Sequence, residues 1–538
     1  MIHRSPLARA ALRTGAAVTA LVASCVVLLA VPGALDPTFD HDGLVVGHPG
    51  SPHGLAIQPD GRIVVAAQYG STLTRFEPDG SLDPTFVGRG RNDGYGVEAV
   101  VLDPSGRILA AGTIGVSGGT DFLVARYLPD GTPDAAFGSG GRAHVDVSGA
   151  SDWAFDLALD GAGRILVAGT TLTEDTTFDF AVARLTPDGR LDTTFGGDGI
   201  VTADFTGGID TAVGVAVDRH GRIVAAGTAG GAAENFAAVR YTDDGVPDPT
   251  FGDHGKAIAD FATTREIAEA MVLDRDDGVI VAGRSESPSV LSDFALTRID
   301  ASGRLDEAFG TSGMALTDFF GMDDVAQALA LDQSGRLVAF GRAQTSPGYS
   351  EAGFALAVAR YTRDGTLDTA LGAGGTVTTS LAHPMAWWGS VAIDAVGRIV
   401  VAGTVDHAFV LARYLADDSP EPVAIDIRPG DPRNTISLAR HARVEVAVLS
   451  TPGFLAPAEV EAGSLAFGLR GDEPSLLAGK GGAVCKPFDA DGDGIADLCC
   501  LFVVASTGLD PGDTTACLTG RTRDGRRVEG RGSVAVSP

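Results

Sequence analysis

The chain is poor in positive charge, in cysteine and in tryptophan, and it lacks the short motifs of the common catalytic sites. Lys and Arg together number 40 against 69 Asp and Glu, a formal net charge of −29. Such a polyanion repels phosphate backbones and anionic membrane surfaces, so nucleic acid is excluded as an expected partner, while cations and neutral ligands such as glycans stay open. Five cysteines occur. Apart from Cys25 they are Cys485, Cys499, Cys500 and Cys517, all near the C-terminus, a usage that agrees with export. Four cysteines allow three pairings. Because neighbours on a strand point to opposite faces, Cys499 and Cys500 are expected to bond to different partners, with Cys485 and Cys517 available. There is no Gly-x-Ser-x-Gly elbow, His-Glu-x-x-His, P-loop or dinucleotide fingerprint, so the chain is expected not to be an enzyme. No segment holds a helical period.

Only one stretch is apolar enough to meet a membrane. Residues 1–34 read as a signal peptide: a basic start with Arg4, Arg9 and Arg13, an apolar run over about 16–31, and a small-residue cut site at Pro32-Gly33-Ala34. Retention as an anchor, or lipidation at Cys25 in a loose lipoprotein box, are the other readings of the same stretch. Its removal takes away three arginines and no acid, and leaves no membrane span. The expected location is outside the cell or on its surface, as an exported bacterial protein.

What is abundant is glycine, 73 residues. Without a collagen period, that much glycine means many turns and so many short strands. The turns recur in order. Leu-Asp-x-x-Phe-Gly, or a close variant, stands at 35–39, 82–86, 133–137, 191–195, 247–251, 305–309 and 367–371. Gly-Arg-Ile followed by Val-Val-Ala-Gly, or close variants, starts at 61, 106, 163, 221, 278, 335 and 397. Phe-x-x-x-Arg-Tyr followed by Asp-Gly is a third element. In the fourth copy 200–204, 212–217, 222–227 and 236–241 read as four consecutive strands of one unit. The 222–227 strand is almost wholly apolar, as a strand buried on both faces would be.

Seven copies of a four-stranded unit predict an all-β fold, a seven-bladed β-propeller over 35–416, because a ring of blades buries the faces that one blade leaves exposed. The repeated elements resemble the delta-60 repeat family of exported bacterial proteins. That resemblance implies the propeller and carries no established enzymatic activity. Residues present in every copy, the Gly-Arg arginines and the Leu-Asp aspartates, are expected to pair or cap turns.

Departures from the repeat nominate a site. Asp152, Asp210, Glu266 and Asp324 align at one place in four successive copies and are expected either to form an acidic, cation-binding rim or to cap loops. Trp153, Trp387 and Trp388, the only tryptophans, fall close by and can stack on sugar rings or pack between blades. His53, Tyr95 and His383 align nearby.

After an acidic, Pro-containing linker at 417–422, residues 423–538 read as a small β-sandwich-like module. Its Asp489, Asp491, Asp493, Ile495 (through its carbonyl) and Asp497 have the spacing of a calcium loop, with Gly494 at the sharp turn. Cys500 stands where an EF-hand has its last glutamate, so the loop resembles the shorter ones of extracellular modules. Ile425-Asp426-Ile427-Arg428-Pro429-Gly430 and 512–520 add a resemblance to a C-terminal domain recurring in exported bacterial proteins. The expected function is a binding scaffold for an extracellular glycan or protein, with structural calcium. The alternatives are a hydrolase or lactonase at the propeller's central mouth, and a structural spacer or matrix protein.

Overall fold

The computed structural model describes residues 32–537, except 69–72, 89–95, 174–176, 232, 262–264, 288–289, 347–352, 382–384, 406–407, 417–420, 440–441, 452–454, 470–472, 474, 480–481 and 524–526. Residues 1–31 with Cys25, Tyr95, His383 and residues 417–420 lie outside the described residues, as do the side chains of Trp387 and Trp388.

The repeats fold as antiparallel sheets in simple up-and-down order, a β-propeller architecture. Between Leu44 and Tyr414 the described residues hold six four-stranded sheets and one three-stranded sheet. The second runs through Gly96–Leu102, Ile108–Val116, Gly119–Tyr127 and Arg142–Val145, and the fourth through Thr211–Val217, Ile223–Ala229, Asn235–Tyr241 and Lys256–Ala259. The apolar second strands lie between two covered faces, and every residue of Ile223–Ala229 is buried. Each hydrophobic core is shared by two successive sheets, as where Leu109, Phe122 and Phe137 pack with Leu157 and Val167. The first strand of each sheet touches that of the next, and the last, Met385–Ile393, touches the first, Ser51–Ile57.

The strand phase differs from the sequence expectation. Ile200–Ala203 is the outer strand of the preceding sheet, paired to Phe178–Leu185, and does not begin the fourth. Leu-Asp-x-x-Phe-Gly is the turn between the third and outer strands of one sheet, so the boundary between sheets falls after the outer strand. As a consequence the first copy of that turn belongs to the last sheet. Leu44–Pro49 pairs with Ala408–Tyr414, and Leu415 exchanges backbone hydrogen bonds with Gly33 and Ala34.

The repeated residues form a latch. In the fourth sheet, Arg240 of Phe-x-x-x-Arg-Tyr is 1% exposed. Its Nε donates to Asp248 Oδ2 at 2.9 Å, its Nη1 to the carbonyl of Ala301 in the next sheet at 2.7 Å, and its guanidinium lies 4.6 Å over Phe251. Asp248 Oδ1 accepts from the Thr250 N–H, closing the turn. Arg413 repeats this across the junction of the first and last repeats, with Asp36 and Phe39. Arg222, Arg336 and Arg398 of the Gly-Arg element each bind the aspartate four residues earlier.

Beyond the repeats, Glu421–Pro422, Arg527–Ser533, Thr515–Arg521 and Ala466–Gly468 form one sheet, and Ile425–Ile427, Arg443–Val448, Asp497–Val503 and Cys485–Phe488 another. Side chains of both, including Val446, Phe467, Phe502 and Leu518, share one core. Helix is almost absent: one four-residue α-helix, Ala456–Glu459, and two 3-10 turns occur among the described residues.

Candidate functional site

Asp152, Asp210, Glu266 and Asp324 are each fully buried at or beside the start of a different inner strand. There they cap loops. Asp152 accepts from the Val147 N–H and the Thr171 hydroxyl, Asp210 from the N–H groups of Phe205 and Gly230, Asp324 from the N–H of Phe319, and Glu266 from the Ser285 hydroxyl. Three of them complete carboxylate triplets whose ligand atoms lie within 4.8 Å of one another: Asp121–Asp146–Asp152, Asp179–Asp204–Asp210 and Asp293–Asp318–Asp324. In each triplet the first residue comes from a third strand, the second follows the outer strand, and the third enters the next sheet. Burial pushes Asp324 up to about 7 and Asp293 to about 6, and the neighbouring carboxylates Asp318 and, for Asp293, Asp323 add to it. Such groups can hold a divalent cation.

Trp153 packs edge-on against Phe178, ring centres 5.2 Å apart. The backbone of Trp387 and Trp388 lies in the last inner strand, Met385–Ile393.

In the C-terminal loop, Asp489, Asp491 and Asp493 form a fourth triplet, exposed to solvent. Gly492 and Gly494 have φ of 81° and 89°, the left-handed turn that folds the carboxylates together. Asp497 is buried and accepts from the N–H groups of Ser450 and Ala490, tying the loop to the sheet. Ile495 stands between, its N–H on Asp493 Oδ1. Cys485 and Cys500, opposite each other on paired strands, form a disulfide. Cys499 and Cys517 are buried thiols and not a second bridge: Cys499 points to the other face of its strand, and Cys517 belongs to the other sheet, opposite Gly468 and Arg531.

The geometry adds a site that the alignment missed. Six of the inner strands carry a one-residue β-bulge at the same place, and the residues left unpaired are His53, Glu98, Phe155, Val213, Glu269 and Gln327. A bulge re-aims its extra side chain. All six line a cavity of about 680 Å³ walled by residues of the inner strands. The repeated glycine of Val-Ala-Gly makes the bulge possible: a Cβ on Gly227 would stand 1.9 Å from the Thr211 carbonyl oxygen, and Gly169, Gly283 and Gly341 are equally tight. Ala67 takes this place in the first sheet.

The cavity wall is acidic. His53 Nδ1 pairs with Glu98, which also takes the Gln68 amide, and Arg284 reaches Glu269 at 3.1 Å. Burial raises Glu269 above the usual carboxylate range against the pull of Arg284 and Arg342. Asp156, next to the bulge at Phe155, accepts from the Val215 N–H of the adjoining sheet at 2.9 Å, and burial pushes it up to about 7. The signal available in sequence was one variable residue per copy set mostly between small ones, as in Ala268-Glu269-Ala270 and Ala326-Gln327-Ala328.

The family model described as "Domain of unknown function (DUF5122) beta-propeller" matches residues 58–86, 104–137, 163–195 and 221–251, in agreement with the β-propeller the sheets build. No curated protein matches the chain. Similar solved structures include virginiamycin B lyase from Staphylococcus aureus, at 11% identity over 69% of this chain and 99% of that one, with a TM-score of 0.40. A glucose dehydrogenase matches at 13% identity over 69% and 98% with a TM-score of 0.36, and YCF48 from Cyanidioschyzon merolae at 11% over 69% and 98% with a TM-score of 0.38.

Proposed function

We propose that the chain is an exported, non-enzymatic binding protein: a seven-bladed propeller, closed by its own N-terminal strand, that takes a small polar ligand in its axial cavity, followed by a β-sandwich with a structural calcium ion. The observation that carries the binding role is the bulge belt. Around the ring the latch residues and most core positions repeat, while the residues aimed at the axis vary from His to Glu, Phe, Val and Gln. A purely structural ring has no reason to bulge its inner strands toward an open cavity with variable side chains, and cavities of this size are common ligand sites. The end of a glycan or an exposed protein side chain are the ligands an extracellular scaffold would meet. Asp489, Asp491, Asp493, the Ile495 carbonyl and Asp497 would hold calcium, with affinity expected at about 10⁻⁴ to 10⁻³ M as in extracellular modules. The three buried triplets of the propeller are further candidates for divalent cations.

A glycan-array screen of the full chain, with millimolar calcium and with chelator, tests this reading. Specific capture that Glu98→Gln weakens supports the axial site. Capture that instead requires Trp387 and Trp388 moves the site to that strand. Capture lost with chelator brings calcium into the binding role.

A further inference from the structure

The wall of the axial cavity carries carboxylates, His53, Gln327, hydroxyls and apolar side chains and, among the described residues, neither Lys nor Arg. Glu269 and Glu98 have partners in Arg284 and His53. Asp156 is different. Its environment is burial and two backbone N–H groups, those of Val215 and Leu157, with no cation among the described residues contributing to it. Of the strands packed on its own, Gly96–Leu102 carries Glu98, Gly119–Tyr127 carries Asp121, Arg126 and Tyr127, and Ile108–Val116, Ile165–Leu172 and Thr211–Val217 carry no charged or titratable side chain. Asp121 belongs to a triplet and Arg126 is bound to Asp134. Elsewhere the cavity wall includes the apolar residues Leu55, Val100, Phe155, Met271 and Leu329.

We propose that the axial cavity is a site for an organic ammonium ion, whose charged nitrogen sits at Asp156 and whose hydrocarbon or ring body lies on the apolar wall. This rests on the axial-site reading above and names the ligand class. A carboxylate half-buried in a cavity wall without a countercharge is costly, and an arriving cation supplies that charge where water screens it less than in bulk. The net negative charge of the chain favours its approach and disfavours anions. Because burial pushes the Asp156 carboxyl up to about 7, the ammonium ion should bind more tightly as pH rises through that range and displace a proton below it. The ammonium group has two natural sources, a free amine and an amino sugar.

Calorimetric titration of the full chain with benzylamine, benzyl alcohol, benzoate, glucosamine and glucose tests the proposal. Benzylamine or glucosamine should bind, at least tenfold more tightly than the neutral or anionic counterpart, and which of the two binds better separates the sources. At pH 6, buffers of different ionisation enthalpy should report proton release, and Asp156→Asn should weaken the amine at least tenfold and abolish the release. Arg190→Ala, on the surface and outside the cavity, should leave the proton release intact; melting curves of both variants establish that they fold. Benzyl alcohol binding as well as benzylamine, or an Asp156→Asn variant that keeps amine affinity, overturns the proposal. If glucose and benzyl alcohol bind while the amines show no advantage, the axial site stands and the cation does not. If no probe binds, both fall.

Discussion

Replacing Arg240 by Ala removes the most connected side chain of the fourth latch. The change strips Asp248, 5% exposed, of its nearer cation, with Arg222 remaining 3.5 Å away, and leaves the Ala301 carbonyl without its donor. It also takes away the 3.1 Å bond to the Thr250 hydroxyl and the charge over Phe251. In the intact protein, burial pushes Asp248 up, but Thr250 and Arg240 outweigh it and hold the carboxylate below its ordinary range, so it stays charged at neutral pH. Breaking a buried pair from one side typically costs about 3–5 kcal/mol, and because Arg222 still faces Asp248 the lower end of that range is expected here. The protein carries its own control. Arg190 and Asp188 are 3.4 Å apart but mostly solvent-exposed, and Arg190→Ala should cost less than about 1 kcal/mol. A chain of this size need not unfold in one step, so the assay is urea denaturation with the propeller transition resolved from that of the C-terminal module. The double change Arg240→Met with Asp248→Asn should recover much of the loss, because it leaves no unpaired charge. An Arg240→Ala midpoint no lower than that of Arg190→Ala would refute the latch.

Three further expectations follow from the same structure. A chain starting at Gly50 lacks the strand Leu44–Pro49 together with Asp36 and Phe39 of the closing latch, so it should melt well below a chain starting at Pro32 and bind more of a dye for exposed apolar surface; equal melting would contradict closure by the N-terminal strand. Asp156 has a raised folded pKa, so its contribution favours folding at low pH and fades as pH rises from about 4 through 7; Asp156→Asn should therefore be near neutral in stability at pH 4 and stabilising at pH 8, and a variant equally stable relative to the parent at both would exclude burial of the charge. Millimolar calcium should raise the melting temperature of the C-terminal module and Asp491→Asn with Asp493→Asn should remove that rise, whereas a module indifferent to both calcium and chelator would leave the Asp loop an empty turn.

Much of the fold was legible because its elements are local. Each turn announces itself through Asp-Gly and Leu-Asp-x-x-Phe-Gly, and the apolar second strands through their composition. The phase of the sheets was not legible, since whether 200–203 closes one unit or opens the next is decided by pairing to Phe178–Leu185, a contact with the preceding copy. The same holds for Leu44–Pro49, whose partner lies at the far end of the repeats. Alignment found Asp152, Asp210 and Asp324 but not that each meets two other carboxylates, which come from a third strand and from the loop after the outer strand; they stand 31 and 6 residues earlier in every triplet, a regular spacing that was there to be read. The axial belt was hidden for another reason. A bulge shifts strand alternation by one residue, so Glu98, Glu269 and Gln327 read as ordinary outward polar positions until the register is known.

The most direct test of the account is to plug the cavity. Gln327→Trp adds an indole at a bulge that faces the axis, outside the latches and the carboxylate triplets. A screen of amines and glycans against the full chain and this variant, matched by melting temperature, should show ligands captured by the parent and lost from the variant. Ligands that bind both equally would place recognition away from the axis and contradict the account.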